Sequence, residues 1–182
     1  MSARVAPAEP PFNVAIQARL DRLMPAGMPP LQLFTTLARD ERLFEKFMSG
    51  GLLDRGNLTL RQREIVIHRT TARCGSEYEW GVHVALFSEK AGLTSEQVNA
   101  TVYGDVDAPC WTESDRLLIQ FCDALHESCD VGDQLWSELE ASLTSEALLE
   151  LLMLAGFYRT VSYLTNALRL PVEKDVPTFP PR

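Results

Sequence analysis

Glu64, Glu79 and His83 have the residue types and spacing for proton chemistry in this 182-residue chain. Glu79 and His83 are four positions apart, which places both on one face of a helix. A carboxylate beside an imidazole favours the cationic ring and fixes its orientation, which suits proton transfer near neutral pH. Glu64 falls on the preceding helical segment, within a stripe made by Leu60, Ile67, Thr71 and Cys74. A carboxylate on a core-facing stripe must be paired or take up a proton, because burying its charge alone is costly. His68 follows one turn later. Tyr78 and Trp80 flank Glu79 as candidates for the substrate pocket together with His68, Tyr78 as a hydrogen-bond donor and Trp80 as a wall. Each residue also has a purely structural reading: Glu64 paired with an arginine, Glu79 as third residue of a capping box opened by Ser76, His83 as a satisfied core histidine.

Other chemistries find less support. Glu64, Glu79, His68 and His83 are of metal-ligating type, but no HExxH or similar spacing occurs, and no metal is expected. No glycine-rich phosphate loop, GxSxG elbow or CxxC is present, so no cofactor is expected either.

The elements that must position these groups are helical. Amphipathic spacing covers Asn13 to Met24, ended by Pro25, and short helices follow over Leu31–Ala38 and Glu41–Met48, the second stopped by Gly50 and Gly51. Thr59 with Gln62 opens a helix to about Arg73, and Ser76 with Glu79 opens another through Lys90. Thr94 starts a short helix to about Val102 and Thr112 one to about Glu127. Asp133–Leu143 holds another, and Thr144 begins the longest, to about Leu168. No segment reads as a strand, so the expected fold is all-α in one domain. Its expected parts are an extended N-terminal arm (1–11), a helical domain (12–170) and an extended tail (171–182) that wraps a neighbour.

Composition narrows the class. With 25 acidic and 17 basic residues the net charge is −8, against a nucleic-acid partner, which needs a basic face. No apolar run approaches ~18 residues and the Pro/Ala-rich start lacks a signal-peptide pattern, so no membrane contact is expected. Four cysteines (Cys74, Cys110, Cys122, Cys129) are too few for a disulfide framework, and a reduced cytoplasm is the expected location. Tyr158, Val161 and Tyr163 make the Gly156–Leu168 stretch a candidate self-association surface.

Three stretches carry a resemblance: Leu58-Thr59-Leu60-Arg61-Gln62-Arg63-Glu64-Ile65-Val66-Ile67, Tyr78-Glu79-Trp80-Gly81-Val82-His83 and Ala91-Gly92-Leu93-Thr94-Ser95-Glu96-Gln97-Val98. Together they resemble the carboxymuconolactone decarboxylase family, which includes the alkyl hydroperoxidase D proteins. The likeness is specific over about Leu52 to Ala100 and looser through Ala155-Gly156-Phe157-Tyr158 and Asn166. It implies an orthogonal helical bundle of the alkyl hydroperoxidase D-like type, a cofactor-free site and trimeric or hexameric assembly, and a homo-oligomer (dimer, trimer or hexamer) is expected. The hydroperoxidase branch carries a Glu, a CxxC twelve residues later, and a His four after the second Cys. Those positions fall here on Glu64, Ser76, Glu79 and His83, so the acid and the imidazole are kept and both redox cysteines are absent. The decarboxylase branch must stabilise and then protonate a dienolate, for which Glu64, Glu79 and His83 are suitable groups.

The expected function is therefore cofactor-free acid/base chemistry, decarboxylation or proton transfer, on a small lactone or oxo-acid. One alternative is a thiol-dependent hydroperoxide reductase using Cys74, read as lying just ahead of a helix N-terminus where a thiolate is favoured. Another is a non-catalytic helical oligomer.

Overall fold

A computed structural model describes residues 3–24 and 27–181. Among the described residues there are nine helices and no strand: α1 (Val14–Leu23), α2 (Gln32–Leu37), α3 (Glu41–Ser49), α4 (Leu60–Arg73), α5 (Glu77–Phe87), α6 (Ser95–Tyr103), α7 (Glu113–Ser128), α8 (Asp133–Ser142) and α9 (Ser145–Leu168). The all-α expectation holds. The proposed helix stop at Pro25 lies outside the described residues, within which α1 ends on Met24 as its C-cap.

Most helix starts follow the capping chemistry of the sequence. Thr59 with Gln62, Thr94 with Gln97 and Thr112 with Asp115 form reciprocal capping boxes, and Asn13, Asp40 and Thr144 cap their helices by side-chain oxygen. The box expected at Ser76 does not form. The Ser76 hydroxyl is taken by Thr165 Oγ1 at 2.8 Å and makes no cap bond, which leaves Glu79 free to turn towards His83. Helix α5 also stops at Phe87 rather than at Lys90, and a turn reaches Gly92, whose φ of +66° suits glycine.

The centre of the molecule is α4, which packs against α5, α6, α7 and α9. It is buried without interruption from Glu64 to Thr71, with Ile65, Val66 and Ile67 fully enclosed. A helix sunk this deeply has no solvent face, so polar groups on it must find partners inside. Arg61–Asp115, Arg69–Asp123 and Arg73–Glu127 each join residues 54 apart, so α4 and α7 run parallel in a fixed register. Helix α9 buries Leu148, Leu151, Leu154, Tyr158 and Val161.

The C-terminal tail packs along α5 of its own chain. Phe179 N–H donates to Glu77 Oε1 at 2.8 Å and the Phe179 ring meets Trp80 edge-on. A Cβ at Gly81 would overlap the Pro177 carbonyl oxygen, so glycine is what lets the tail lie this close. Glu173 accepts from the Gln32 backbone N–H at 2.5 Å and from the Tyr78 hydroxyl, which itself accepts from Leu33 N–H at 3.1 Å. Helix α2 has no side-chain cap from its own N-cap residue, Leu31. The Glu173 carboxylate does that work from 141 residues away. The N-terminal arm is likewise fastened to its own chain, by Arg4 to Leu168 and Ala8 to Thr35.

Of the apolar residues expected at a self-association surface, Tyr158 and Val161 are buried in the core and only Tyr163 is exposed. A 24-residue helix with one buried face turns a residue outward every three or four positions, which separates these three.

Candidate active site

Helices α4 and α5 bring Glu64 and His83 together. His83 Nδ1 lies 2.8 Å from Glu64 Oε2, and on the opposite ring edge His83 Nε2 lies 3.5 Å from Glu79 Oε1. Glu64 is fully buried, and His83 and Glu79 are 3% and 6% exposed. Arg63 Nε approaches the other Glu64 oxygen at 3.4 Å, and His68 Nε2 stands 3.8 Å from Oε2. The imidazole is thus held between two carboxylates, one deep and one shallow.

The protonation states follow from competition between burial and pairing. Burial pushes the Glu64 carboxyl up, but the hydrogen bond and charge of His83, with His68 and Arg63 behind, more than reverse this and hold it below its usual range. For His83, burial pushes the ring down, and bonding to Glu64 and then Glu79 overrides it, raising the pKa to about 9. His83 is therefore an imidazolium at neutral pH, with an N–H directed at each carboxylate. His68 goes the other way: burial outweighs the pull of Glu64, and its pKa falls to about 4, so its ring is neutral.

A cavity of about 80 Å³ opens beside this group, with Glu79 and His83 in its wall. The remainder is mostly apolar, including Phe34 from α2, Phe47 from α3 and Phe157 from α9. Tyr158 also lines it and meets the His83 ring edge-on at 5.0 Å. Burial raises its phenol pKa well above the usual value, so Tyr158 keeps its hydroxyl proton. No lysine or arginine is among the described residues of the lining.

Only part of the expected set reaches this cavity. Glu79 and His83 line it, whereas Glu64 stands behind His83 and His68 behind Glu64. Tyr78 and Trp80, expected at the pocket, are not in its wall. At about 100° per residue their side chains leave the helix on the flanks of the Glu79–His83 face. Tyr78 serves the α2–tail clasp, and Trp80 donates from Nε1 to Thr101 Oγ1 at 3.0 Å. Cys74 is the C-cap of α4 and, as expected, lies just ahead of α5, two residues before its N-cap Ser76. Burial raises its pKa, and it lines a separate cavity of about 190 Å³ with Cys122, Cys129 and Arg159. Among the described residues no three His, Cys, Asp or Glu side chains are grouped to hold a metal ion.

Phe34, Phe47, Phe157 and Tyr158 form walls that residue spacing did not single out. For Phe34 and Phe47 the only sequence signal is aromatic character on separate helices, whereas Phe157 and Tyr158 fall together on α9 in the looser stretch of the resemblance.

Comparison with known proteins fits this architecture. Residues 41–119 match the model of the carboxymuconolactone decarboxylase family. No curated protein matches the sequence. Among solved structures, an uncharacterized peroxidase-related protein from Silicibacter sp. TM1040 superposes with a TM-score of 0.83 at 13% identity, over 95% of this chain and 93% of that one. The alkylhydroperoxidase AhpD core protein from Ralstonia eutropha JMP134 gives 0.78 at 16% identity, over 96% and 95% of the two chains. The debrominase Bmp8, bound to 2,3,4-tribromopyrrole, gives 0.72 at 14% identity, over 96% and 94%. These likenesses establish a shared fold. The segment that matches the carboxymuconolactone decarboxylase family, residues 41–119, contains Glu64, His68, Glu79 and His83.

Proposed function

We propose that the protein is a cofactor-free acid/base catalyst acting on a small, largely apolar lactone or oxo-acid with no more than one negative charge. The observation that carries this reading is His83, held between Glu64 and Glu79 at the polar end of an apolar cavity. Glu64 keeps Nδ1–H occupied and the ring charged, so the Nε2 proton is the one available at the cavity. A substrate oxygen carrying developing negative charge is stabilised there by the imidazolium in a water-poor site. In a decarboxylation the carboxylate leaves as CO2, its bonding pair delocalises into an enolate or dienolate, and the His83 Nε2 proton is transferred to carbon. Glu79 lies on the same edge of the ring and takes or returns that proton.

The lining sets the substrate class. His83 is the one cationic side chain in the described wall, so a dicarboxylate would leave one charge unpaired in an apolar space. The reading is supported by a structurally similar debrominase whose ligand, 2,3,4-tribromopyrrole, is likewise small and largely apolar. The thiol reading has no such support, because Cys74 lies outside this cavity with a raised pKa.

The test incubates wild type and His83→Ala with a carboxylated muconolactone and with singly charged lactone acids, following CO2 release. Release by wild type, greater for the singly charged acids and abolished by the substitution, is expected. Equal release by both proteins would overturn the assignment.

A further inference from the structure

His68 is a fully buried imidazole for which the reaction described above has no use. Neither ring nitrogen has a hydrogen-bond partner of good geometry. Its polar neighbours are Glu64 Oε2 at 3.8 Å, the same oxygen that binds His83, and the main chain of His83, and Trp80 stands beside the ring at a centroid distance of 6.4 Å. A buried, unpaired polar group is costly, and a leucine would fill comparable space without that cost. A local rule broken next to a catalytic group points to a role in the site.

The charged and titratable groups around His83 are Glu64 from α4, Glu79 from its own helix and Tyr158 from α9, with Arg63 and His68 touching Glu64. Arg63 approaches Oε1, whereas His68 and His83 approach Oε2, and the Tyr158 hydroxyl also senses the Glu64 charge. We propose that His68 is a positioning residue whose neutral ring turns an N–H dipole towards Glu64 Oε2, keeping that carboxylate ionised and thereby setting how tightly His83 holds its proton. The proposal rests on the reading of His83 as the acid of the site. It assigns His68 to the far end of a chain, His68–Glu64–His83–Glu79, that runs from the core to the cavity. The neutral state of His68 is what the role requires, because a second cation against Glu64 would compete with His83 for the same charge.

The test is a titration of the resting protein, with the His83 ring followed by nitrogen-detected NMR in wild type, His68→Leu and His68→Gln. Wild type should titrate near pH 9. His68→Leu should lower that midpoint by about half a pH unit or more, about a threefold weaker hold on the proton. Its melting temperature should be equal to or above that of wild type. His68→Gln retains an N–H donor and should recover most of the midpoint. An unchanged His83 midpoint in His68→Leu overturns the proposal, and so does a lowered melting temperature with that midpoint unchanged. If His68→Leu does not fold, the Gln variant decides by itself: a midpoint further from wild type than half a pH unit overturns the proposal, and a smaller change supports it. A wild-type midpoint well below neutrality would instead overturn the reading of His83 as the acid, which separates the two failures.

Discussion

Replacing Glu64 by glutamine isolates the pairing that makes His83 an acid. The amide keeps the shape of the carboxylate and removes its charge. In wild type the His83 pKa stands at about 9 against an ordinary value of 6.5, although burial works in the opposite direction. At about 1.4 kcal/mol per pH unit that interval corresponds to roughly 3 kcal/mol net of the burial penalty, so the two carboxylates together stabilise the cation by more than this. Glu64, at 2.8 Å and fully buried, supplies the larger share, and Glu79, at 3.5 Å, the smaller. With Glu64 neutral, burial prevails and the ring should titrate below 7. At neutral pH the variant should then hold a mostly neutral imidazole and lose stability on the order of 2 kcal/mol, read as a melting temperature lower by about 4–8 °C. NMR titration of the ring and a thermal melt at pH 7 measure both effects. A Glu64→Gln protein whose His83 still titrates near 9 would refute the reasoning, because the charge would then come from elsewhere.

Stability should vary with pH in a defined direction. A raised histidine pKa contributes stability fully present below 6.5 and lost as pH climbs through about 9, so melting temperature should fall across that interval in wild type and stay flatter in His83→Gln. Below 6.5 the lowered pKa of His68 acts in the other sense, since protonation favours the unfolded chain, so stability should also decline from 6.5 towards 4, as differential scanning fluorimetry can follow. Glu173→Ala removes the cap of α2 and the partner of Tyr78, and should cost about 1–2 kcal/mol and lower the melting temperature by about 3–6 °C. In the native protein a maleimide should label exposed Cys129 first, half-buried Cys74 later and enclosed Cys122 last, as read by mass spectrometry, and equal rates for Cys74 and Cys129 would count against the thiol environment described.

Much of the helical order was legible because it is written in local chemistry. Thr59 with Gln62, and Thr94, announce their helices, and they start there. The pairing of Glu79 with His83 was legible for the same reason, being a property of one helix. The 2.8 Å contact of Glu64 with His83 was not, since it depends on how α4 and α5 cross. Glu79 illustrates the limit of local rules: the pattern with Ser76 reads as a capping box, but Thr165, far along the chain, takes the serine hydroxyl. Tyr78 and Trp80 lie outside the cavity, although they flank Glu79 in sequence, because a helix turns neighbours onto different faces. The walls from Phe34, Phe47 and Phe157 come from three helices that meet only after folding.

The most direct test of the account follows solvent deuterium into a substrate. Wild type and His83→Gln are incubated in D2O with singly charged lactone acids and 2-oxo-acids, and proton NMR records deuterium at the carbon that loses CO2 or lies beside the carbonyl. The account predicts incorporation by wild type for at least one of these classes, reduced by about a hundredfold or more in the variant. Incorporation at equal rates in both proteins, or none by wild type across both classes, would contradict it.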